Sequence, residues 1–200
     1  PRYRGYTYLS SVAELEPNDP EEAQALSLIR DWDLHTDTAN RNAALGVCIL
    51  LEEWQAERTG NPLPDARETL QTCMESVRDV AGQLNPEWGA VQQHGRGQRT
   101  WPAAGGPDTL RAMYAEQLED EDDFLTVVAG DGLYYLIEWN AEGEQTIRGT
   151  HQYGSQMIDE SSPHYLDQAE SFSQEIMRAP GFYPENRSAT SKRYTVTSAD

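Results

Sequence analysis

Apolar residues recur at helical spacing early in the chain. Residues 21–34, directly after Pro20, carry apolar side chains three and four positions apart, which predicts an amphipathic helix. These apolar positions are Ala25, Leu28, Ile29 and Trp32.

Two further helices are predicted, over residues 38–58 and after Asp65. The helix over residues 38–58 has an apolar stripe and stops at Gly60. Asp65 is a candidate N-cap with Glu68 three residues later, as in a capping box. The apolar stripe of the helix over residues 38–58 consists of Val47, Leu50, Leu51 and Trp54. The apolar face of the helix after Asp65 consists of Leu70, Cys73, Met74, Val77 and Leu84. The short link between them predicts an antiparallel helical hairpin.

The pattern changes after Asn85-Pro86. A long stretch rich in Gly and Pro shows no clear periodicity, and such a segment is either functional or packed against another part of the protein. It leads into a short predicted helix, "DTLRAMYAEQL", with Asp108 as N-cap.

β-branched and aromatic residues then predict three strands, "FLTVVA", "LYYLIEWN" and "EQTIRGT". With turns at "GDG" (130–132) and "AEG" (141–143), they are expected to form an antiparallel meander. So small a meander is not expected to be stable by itself, and it is therefore expected to extend a larger sheet.

Ser162-Pro163 predicts the start of a closing helix that ends before Pro180. Its buried face is expected to include Tyr165 and Phe172, seven residues apart, flanked by Leu166, Ala169 and Ile176.

The fold class predicted from these elements is α+β. We divide the chain into residues 1–20, entering from an upstream region; a helical part, 21–93; a loop and β-meander part with its closing helix, 94–182; and a polar tail, 183–200. The first ten residues contain no obvious helix or strand start, and Pro1 suggests a chain cut from something longer.

The chain of 200 residues carries a formal net charge of -19, which argues against nucleic acid as a partner. No apolar run approaches the roughly 20 residues of a membrane-spanning helix. Cys48 and Cys73 do not show metal-ligand spacing. Their equal distance from the helical turn permits a disulfide, and two buried free thiols remain the alternative.

No residue is identified as catalytic, cofactor-binding or metal-binding, and no cofactor is expected. His35, His94, His151 and His164 are scattered, and "YGSQM" lacks the second glycine of a nucleophile elbow. "DWDLHTD" (31–37) lacks the glycine and distal Glu of a calcium loop, which favours a helix end with solvated carboxylates.

Residues 151–168, "HQYGSQMIDESSPHYLDQ", are rich in groups used in catalysis. Asp159, Glu160, Ser161 and Ser162 nevertheless stand where the predicted closing helix begins, and there such side chains satisfy unpaired N–H groups. The structural interpretation is therefore favoured, although His151 and His164 could serve as general bases.

Four separated motifs resemble, in sequence order, the C-terminal part of penicillin-acylase-type amidohydrolases. They are "NPEWGAVQQHGRG" (85–97), "GGPDTLRAMY" (105–114), "GDGLYYLIEWNAEG" (130–143) and "HQYGSQMIDESSPHYLDQ" (151–168). The resemblance covers about residues 21–182 and is strongest to the acyl-homoserine-lactone and aculeacin acylases. "GDG" stands where the family has Gly-Asp-Ser.

The resemblance implies an N-terminal nucleophile hydrolase with a layered αββα fold, exported and cut by itself into α and β subunits. The N-terminal Ser of such a β subunit attacks an amide, with its own α-amine as the base. Pro1 has no hydroxyl or thiol, so the nucleophile is expected outside this chain.

We therefore expect a segment of a periplasmic or secreted acylase, inactive by itself, that needs the α subunit and the rest of the β subunit. Its substrate would be an N-acyl compound such as an acyl-homoserine lactone, a penicillin or a lipopeptide. The alternative is a non-catalytic binding or scaffold module with the same C-terminal architecture.

Overall fold

The computed structural model describes residue 3 and residues 7–118 and 123–179. These residues fall into two compact units, Pro1–Asp131 and Gly132–Asp200. Helices and antiparallel-rich sheets are both present, so the predicted α+β class is confirmed. The segment boundaries at residues 20, 93 and 182 stay predictions.

The described residues of unit 1 form five helices and four strands. The helices are α1 (Thr7–Ala13), α2 (Pro20–Asp31), α3 (Ala43–Thr59), α4 (Ala66–Ala81) and α5 (Trp88–Val91), and the strands are β1 (Gln92–Arg96), β2 (Arg99–Pro102), β3 (Met113–Glu116) and β4 (Leu125–Gly130). The first ten residues were predicted to start no helix, which is wrong, because α1 begins at Thr7. Val12 on α1 is fully buried in the hydrophobic core.

Helix α2 confirms the first predicted helix, although it ends at Asp31 rather than at residue 34. The Asp19 side chain accepts hydrogen bonds from the Glu21 and Glu22 N–H groups, and Pro20 occupies the first turn. These contacts satisfy backbone donors that have no partner within the helix.

Helix α3 was predicted to begin at residue 38, and this boundary is wrong. The backbone before Ala43 pairs with another element: the Thr38 carbonyl accepts from Gly89 N–H at 2.8 Å, and the Asn40 carbonyl from Trp88 N–H at 2.9 Å. The helix ends as expected at Gly60, whose φ of 70° is the left-handed conformation that glycine adopts without strain.

Helices α3 and α4 form the predicted hairpin, and a Cys48–Cys73 disulfide joins them with a Cα–Cα distance of 5.8 Å. The two cysteines are therefore paired, and the alternative of two buried free thiols is wrong. Asp65 caps α4 as predicted, since its carboxylate accepts from the Arg67 and Glu68 N–H groups. The apolar face of α4 is buried: Leu70, Cys73, Met74 and Val77, followed by Leu84.

The stretch after Asn85 shows no clear periodicity in sequence, and in the structure it contains α5 and the β1–β2 hairpin. The register of β1 and β2 pairs Arg96 with Arg99, which leaves a two-residue turn of Gly97 and Gln98. Gly97 has a φ of 63°, which suits the first central position of such a turn. The two strands are short and largely polar, so they carry no apolar alternation.

The helix predicted over "DTLRAMYAEQL" is wrong, because this segment contains strand β3. Asp108 has a φ of 56° and not the extended backbone of an N-cap. Met113 is fully buried and pairs with Gly130 of β4. Tertiary pairing with β4 therefore overrides the helical propensity of the segment.

The predicted three-strand meander is also wrong. Strand β4 lies in a four-stranded sheet of order β2-β1-β4-β3, parallel to β1 and antiparallel to β3. Residues 130–132 form no hairpin turn, because Asp131 is bonded to Ala112, the residue before β3. Its N–H donates to the Ala112 carbonyl, and its carboxylate accepts from the Ala112 N–H.

Unit 2 contains β5 (Leu133–Trp139), β6 (Gln145–His151) and α6 (Ala169–Ser173). Strands β5 and β6 form an antiparallel hairpin across the predicted turn at residues 141–143. At the outer side of β6, Gly149 and Arg178 exchange two backbone hydrogen bonds of 2.8 Å.

The closing helix was predicted to start at Ser162-Pro163, but only residues 169–173 are helical. In a continuous helix the His164 carbonyl would accept from Gln168 N–H. Instead it accepts from Gln156 N–H at 3.0 Å, and Gln168 N–H donates to the Tyr153 carbonyl at 2.7 Å. Long-range bonds thus replace the helical ones.

The predicted buried face of this segment is confirmed in part. Tyr165, Ala169 and Phe172 are buried, and the Phe172 ring stacks on Tyr134. Ile176 is half exposed, which corrects its predicted burial, because Glu175 at a φ of 60° turns the chain out of the helix. The tail 183–200 lies outside the described residues.

Candidate functional site

The segment from 152 to 168, between β6 and α6, is a compact loop whose two sides are bonded to each other. Two cross-loop hydrogen bonds, from Gln168 to Tyr153 and from Gln156 to His164, close it. Gly154 packs so tightly that a Cβ there would collide with the His164 carbonyl and lie 2.7 Å from Asp167 Oδ1. A loop fixed in this way can hold side chains in defined positions.

Asp159 and the two serines after it bond within the loop. The Asp159 carboxylate accepts from the Ser161 N–H at 3.0 Å and from the Ser161 hydroxyl at 2.6 Å. These bonds stabilise the charged form, so the pKa of Asp159 lies below its ordinary value. Ser162 Oγ accepts from the His164 N–H at 3.2 Å. The contacts of these residues are thus those of a loop-forming role.

His164 and Asp167 form a pair resembling part of a catalytic triad, with 3.1 Å between His164 Nδ1 and Asp167 Oδ2. The imidazole is 65% exposed and the carboxylate 35%. A triad further requires a hydroxyl or thiol bonded to the other ring nitrogen. Within the described residues the Ser161 hydroxyl is bonded to Asp159, and Ser162 Oγ is bonded to backbone. Neither of these two serine hydroxyls is therefore bonded to the His164 imidazole.

His151, the other predicted candidate base, lies elsewhere in unit 2, at the end of β6. It lines a cleft of about 270 Å³ together with Tyr135, Gly149, Thr150, Asp167, Gln168, Arg178 and Ala179. The Tyr135 ring covers Gly149, where a Cβ would come within 2.5 Å of it. The cleft brings His151 near Asp167.

His94 is completely buried in unit 1. Its ring stacks on Trp101 at a centroid distance of 5.6 Å. Burial, and secondarily the positive charge of Arg111, lower the pKa of His94 to about 4. The imidazole is therefore neutral near pH 7 and belongs to the packing between β1 and β2.

The acids Asp31, Asp33 and Asp37 are exposed, as the helix-end interpretation predicted, and His35 beside them is partly buried. Asp33 accepts from the His35 N–H and from Asn40 Nδ2, both at 3.0 Å. These bonds, the first of them most strongly, lower the pKa of Asp33. Across residues 7–118 and 123–179, no three or more His, Cys, Asp or Glu side chains converge in a geometry that could hold a metal ion.

Two buried carboxylates in unit 1 were not anticipated from the sequence. Glu22 accepts from Arg67 Nη1 at 2.6 Å and from Asn18 N–H at 2.8 Å, and its pKa is lowered, chiefly by the Asn18 bond. Burial raises the pKa of Glu53. Both lie on the inward face of a helix, where helical periodicity indicates burial but not charge.

No helix in the described part of the chain is both long and apolar enough to span a membrane.

A comparison with protein families matches residues 4–189 to the penicillin amidase family. The matched range includes the α3–α4 hairpin, both sheets and the 152–168 loop, and it contains all four motifs that carry the resemblance. Because the match extends over most of the 200 residues, the chain belongs to the penicillin amidase family.

Proposed function

We propose that this chain is the C-terminal part of the β subunit of an acylase related to the acyl-homoserine-lactone and aculeacin acylases. The observation that carries the proposal is the family match over residues 4–189. The order of the four sequence motifs supports the placement within the β subunit. The reaction is hydrolysis of the amide bond of an N-acyl substrate.

The nucleophile in this proposal is an N-terminal Ser created by self-cleavage elsewhere in the parent protein. Its free α-amine, with a pKa near 8, takes the proton of the adjacent hydroxyl as that hydroxyl attacks the amide carbon. The described chain supports this division of roles, because its His164–Asp167 pair has no hydroxyl bonded to the imidazole. The chain by itself is then inactive.

The role of this chain is to provide a stable scaffold for the rest of the enzyme. Its α3–α4 hairpin is held by a disulfide, and its 152–168 loop is fixed by hydrogen bonds between its two sides. The disulfide also supports a periplasmic or secreted location, since such bonds persist in oxidising compartments.

N-acyl compounds with different acyl chains are the candidate substrates: acyl-homoserine lactones, penicillins and lipopeptides. The test is to express the complete parent protein, sequence the N-termini of its mature chains, and measure hydrolysis over a series of acyl chain lengths. We expect a chain beginning with Ser and a rate that depends on chain length.

A mature protein with no new N-terminal Ser, Thr or Cys and no hydrolysis of any compound in the series would contradict the proposal. That result would favour the alternative, a non-catalytic binding or scaffold module. Hydrolysis by the purified 200-residue chain alone would instead show that the nucleophile has been placed wrongly.

A further inference from the structure

The tip of the 152–168 loop exposes two adjacent large apolar side chains. Met157 is 76% exposed and Ile158 is 90% exposed. The next two residues, Asp159 and Glu160, are acidic and exposed. We call residues 157–160 the loop tip.

The loop tip is held in place by hydrogen bonds on both sides. Before it, Gln156 N–H donates to the His164 carbonyl at 3.0 Å, and Gln156 Oε1 accepts from the Ile158 N–H at 2.9 Å. On its other side, the carbonyl of Asp159 accepts from the Ser162 N–H at 3.1 Å, and the carboxylate of Asp159 accepts from the Ser161 N–H. These bonds fix the backbone that carries the two apolar side chains.

Exposure in a fixed backbone has a consequence for binding. A surface that is ordered before it binds loses little conformational entropy when a partner covers it. Apolar anchors that enter a pocket on a partner supply much of the binding free energy of a protein interface. Met157 and Ile158 have the size and the arrangement of such anchors.

The charge next to the anchors restricts the partner. The carboxylates of Asp159 and Glu160 repel an anionic lipid surface. They also disfavour a second copy of this chain, whose formal net charge is -19. A protein surface whose apolar pocket is bordered by Lys or Arg side chains complements both parts of the tip.

We propose that the loop tip docks into an apolar pocket with a basic border on the companion part of the acylase. This inference rests on the proposed function, which supplies the companion part. The apolar side chains enter the pocket, and the two carboxylates pair with the cations around it.

Methionine oxidation in the assembled enzyme tests the docking directly. Hydrogen peroxide converts accessible Met to its sulfoxide, which peptide mass spectrometry quantifies. Met113, fully buried, and Met74, which is 6% exposed, serve as internal references. We expect Met157 in the native assembly to oxidise at least about tenfold more slowly than in the denatured enzyme. Oxidation of Met157 at the denatured rate would overturn the proposal.

A crosslinking experiment tests the chemistry of the partner. Ile158 is replaced by a photo-reactive benzoylphenylalanine in the complete enzyme, and Leu110, which is 97% exposed in unit 1, receives the same group as a matched control. We expect the group at position 158 to capture a peptide of the companion part with Lys or Arg close to the crosslink. Capture of a second copy of this chain, of lipid, or of no protein would contradict the inference.

Hydrolysis of N-acyl compounds is measured on the same preparations, so that the two proposals can fail separately. A protected Met157 in a protein without hydrolysis would leave the docking surface standing and contradict the acylase function. Hydrolysis with an unprotected Met157 would overturn the docking surface alone.

Discussion

Removal of the Cys48–Cys73 disulfide is expected to lower the free energy of unfolding by about 3 to 4 kcal/mol. The bond closes a loop with a sequence separation of 25 residues. In the chain-entropy treatment, a loop of this length restricts the unfolded chain by about 3.5 kcal/mol at 298 K. Cys73 lies in the core at 1% exposure, so replacing it adds a small packing loss.

The assay is urea unfolding of the Cys48→Ala, Cys73→Ala double variant, followed by circular dichroism and tryptophan fluorescence. With a typical slope of about 2 kcal/mol per molar urea, the midpoint should fall by about 1.7 M. The wild-type protein in reductant should show a similar shift, whereas reductant should leave the double variant unchanged.

Two results would be incompatible with this role of the disulfide. One is a double variant whose midpoint stays within about 0.3 M of the wild type, which would mean that the cross-link restricts little of the unfolded chain. The other is alkylation of both cysteines in the native, unreduced protein, which would show that the disulfide does not form.

Three further predictions concern single positions. The pKa of His94 is about 4 in the folded protein, against 6.5 for an unperturbed histidine. As the pH decreases from about 6.5 to about 4, the unfolded chain therefore binds a proton that the folded protein does not, and the free energy of unfolding should decrease. His94→Gln should flatten that loss in unfolding curves measured at several pH values, and an unchanged pH dependence would contradict the assignment. Gly46→Ala should lower the free energy of unfolding by about 1 to 3 kcal/mol, because the added Cβ overlaps the Trp32 ring. In a double-mutant cycle a Trp32→Leu background should reduce this loss, and fully additive effects of the two substitutions would contradict the prediction. Ser162→Ala removes the acceptor of the His164 N–H and should lower the free energy of unfolding by about 1 kcal/mol without changing turnover per folded molecule. Lost turnover at an unchanged melting temperature would instead place this loop in the active site.

The α3–α4 hairpin could be predicted because its local signals agree. The apolar stripe, the Asp65 cap and Gly60 all point to the same two helices. The β5–β6 hairpin was predictable for a similar reason, since strand propensity and the turn between the strands agree there. Where local preferences coincide with tertiary pairing, the sequence is sufficient.

The errors arose where long-range pairing overrides local preference. Residues 108–118 have a helical composition, yet Met113 is buried by pairing with β4. Asp131 follows a glycine in a turn-like sequence, yet it is bonded to Ala112 and not to a neighbouring turn. No pattern within a short window contains information on such partners.

The candidate site was predictable in chemistry but not in geometry. The sequence favoured a structural role for Asp159 and Ser162, and both bond within the loop. The His164–Asp167 pair was not predicted from the sequence. The exposure of Met157 and Ile158 likewise depends on bonds between distant parts of the loop.

In the proposed function, this chain serves an acylase whose nucleophile lies outside it. Locating that nucleophile requires treating the complete mature enzyme with a serine-reactive sulfonyl fluoride and mapping the label by peptide mass spectrometry. We predict that the label is found on an N-terminal Ser outside these 200 residues, with loss of N-acyl hydrolysis in proportion to labelling. A label on Ser155, Ser161 or Ser162 that accompanies the loss of hydrolysis would instead place the nucleophile within this chain and contradict the proposal.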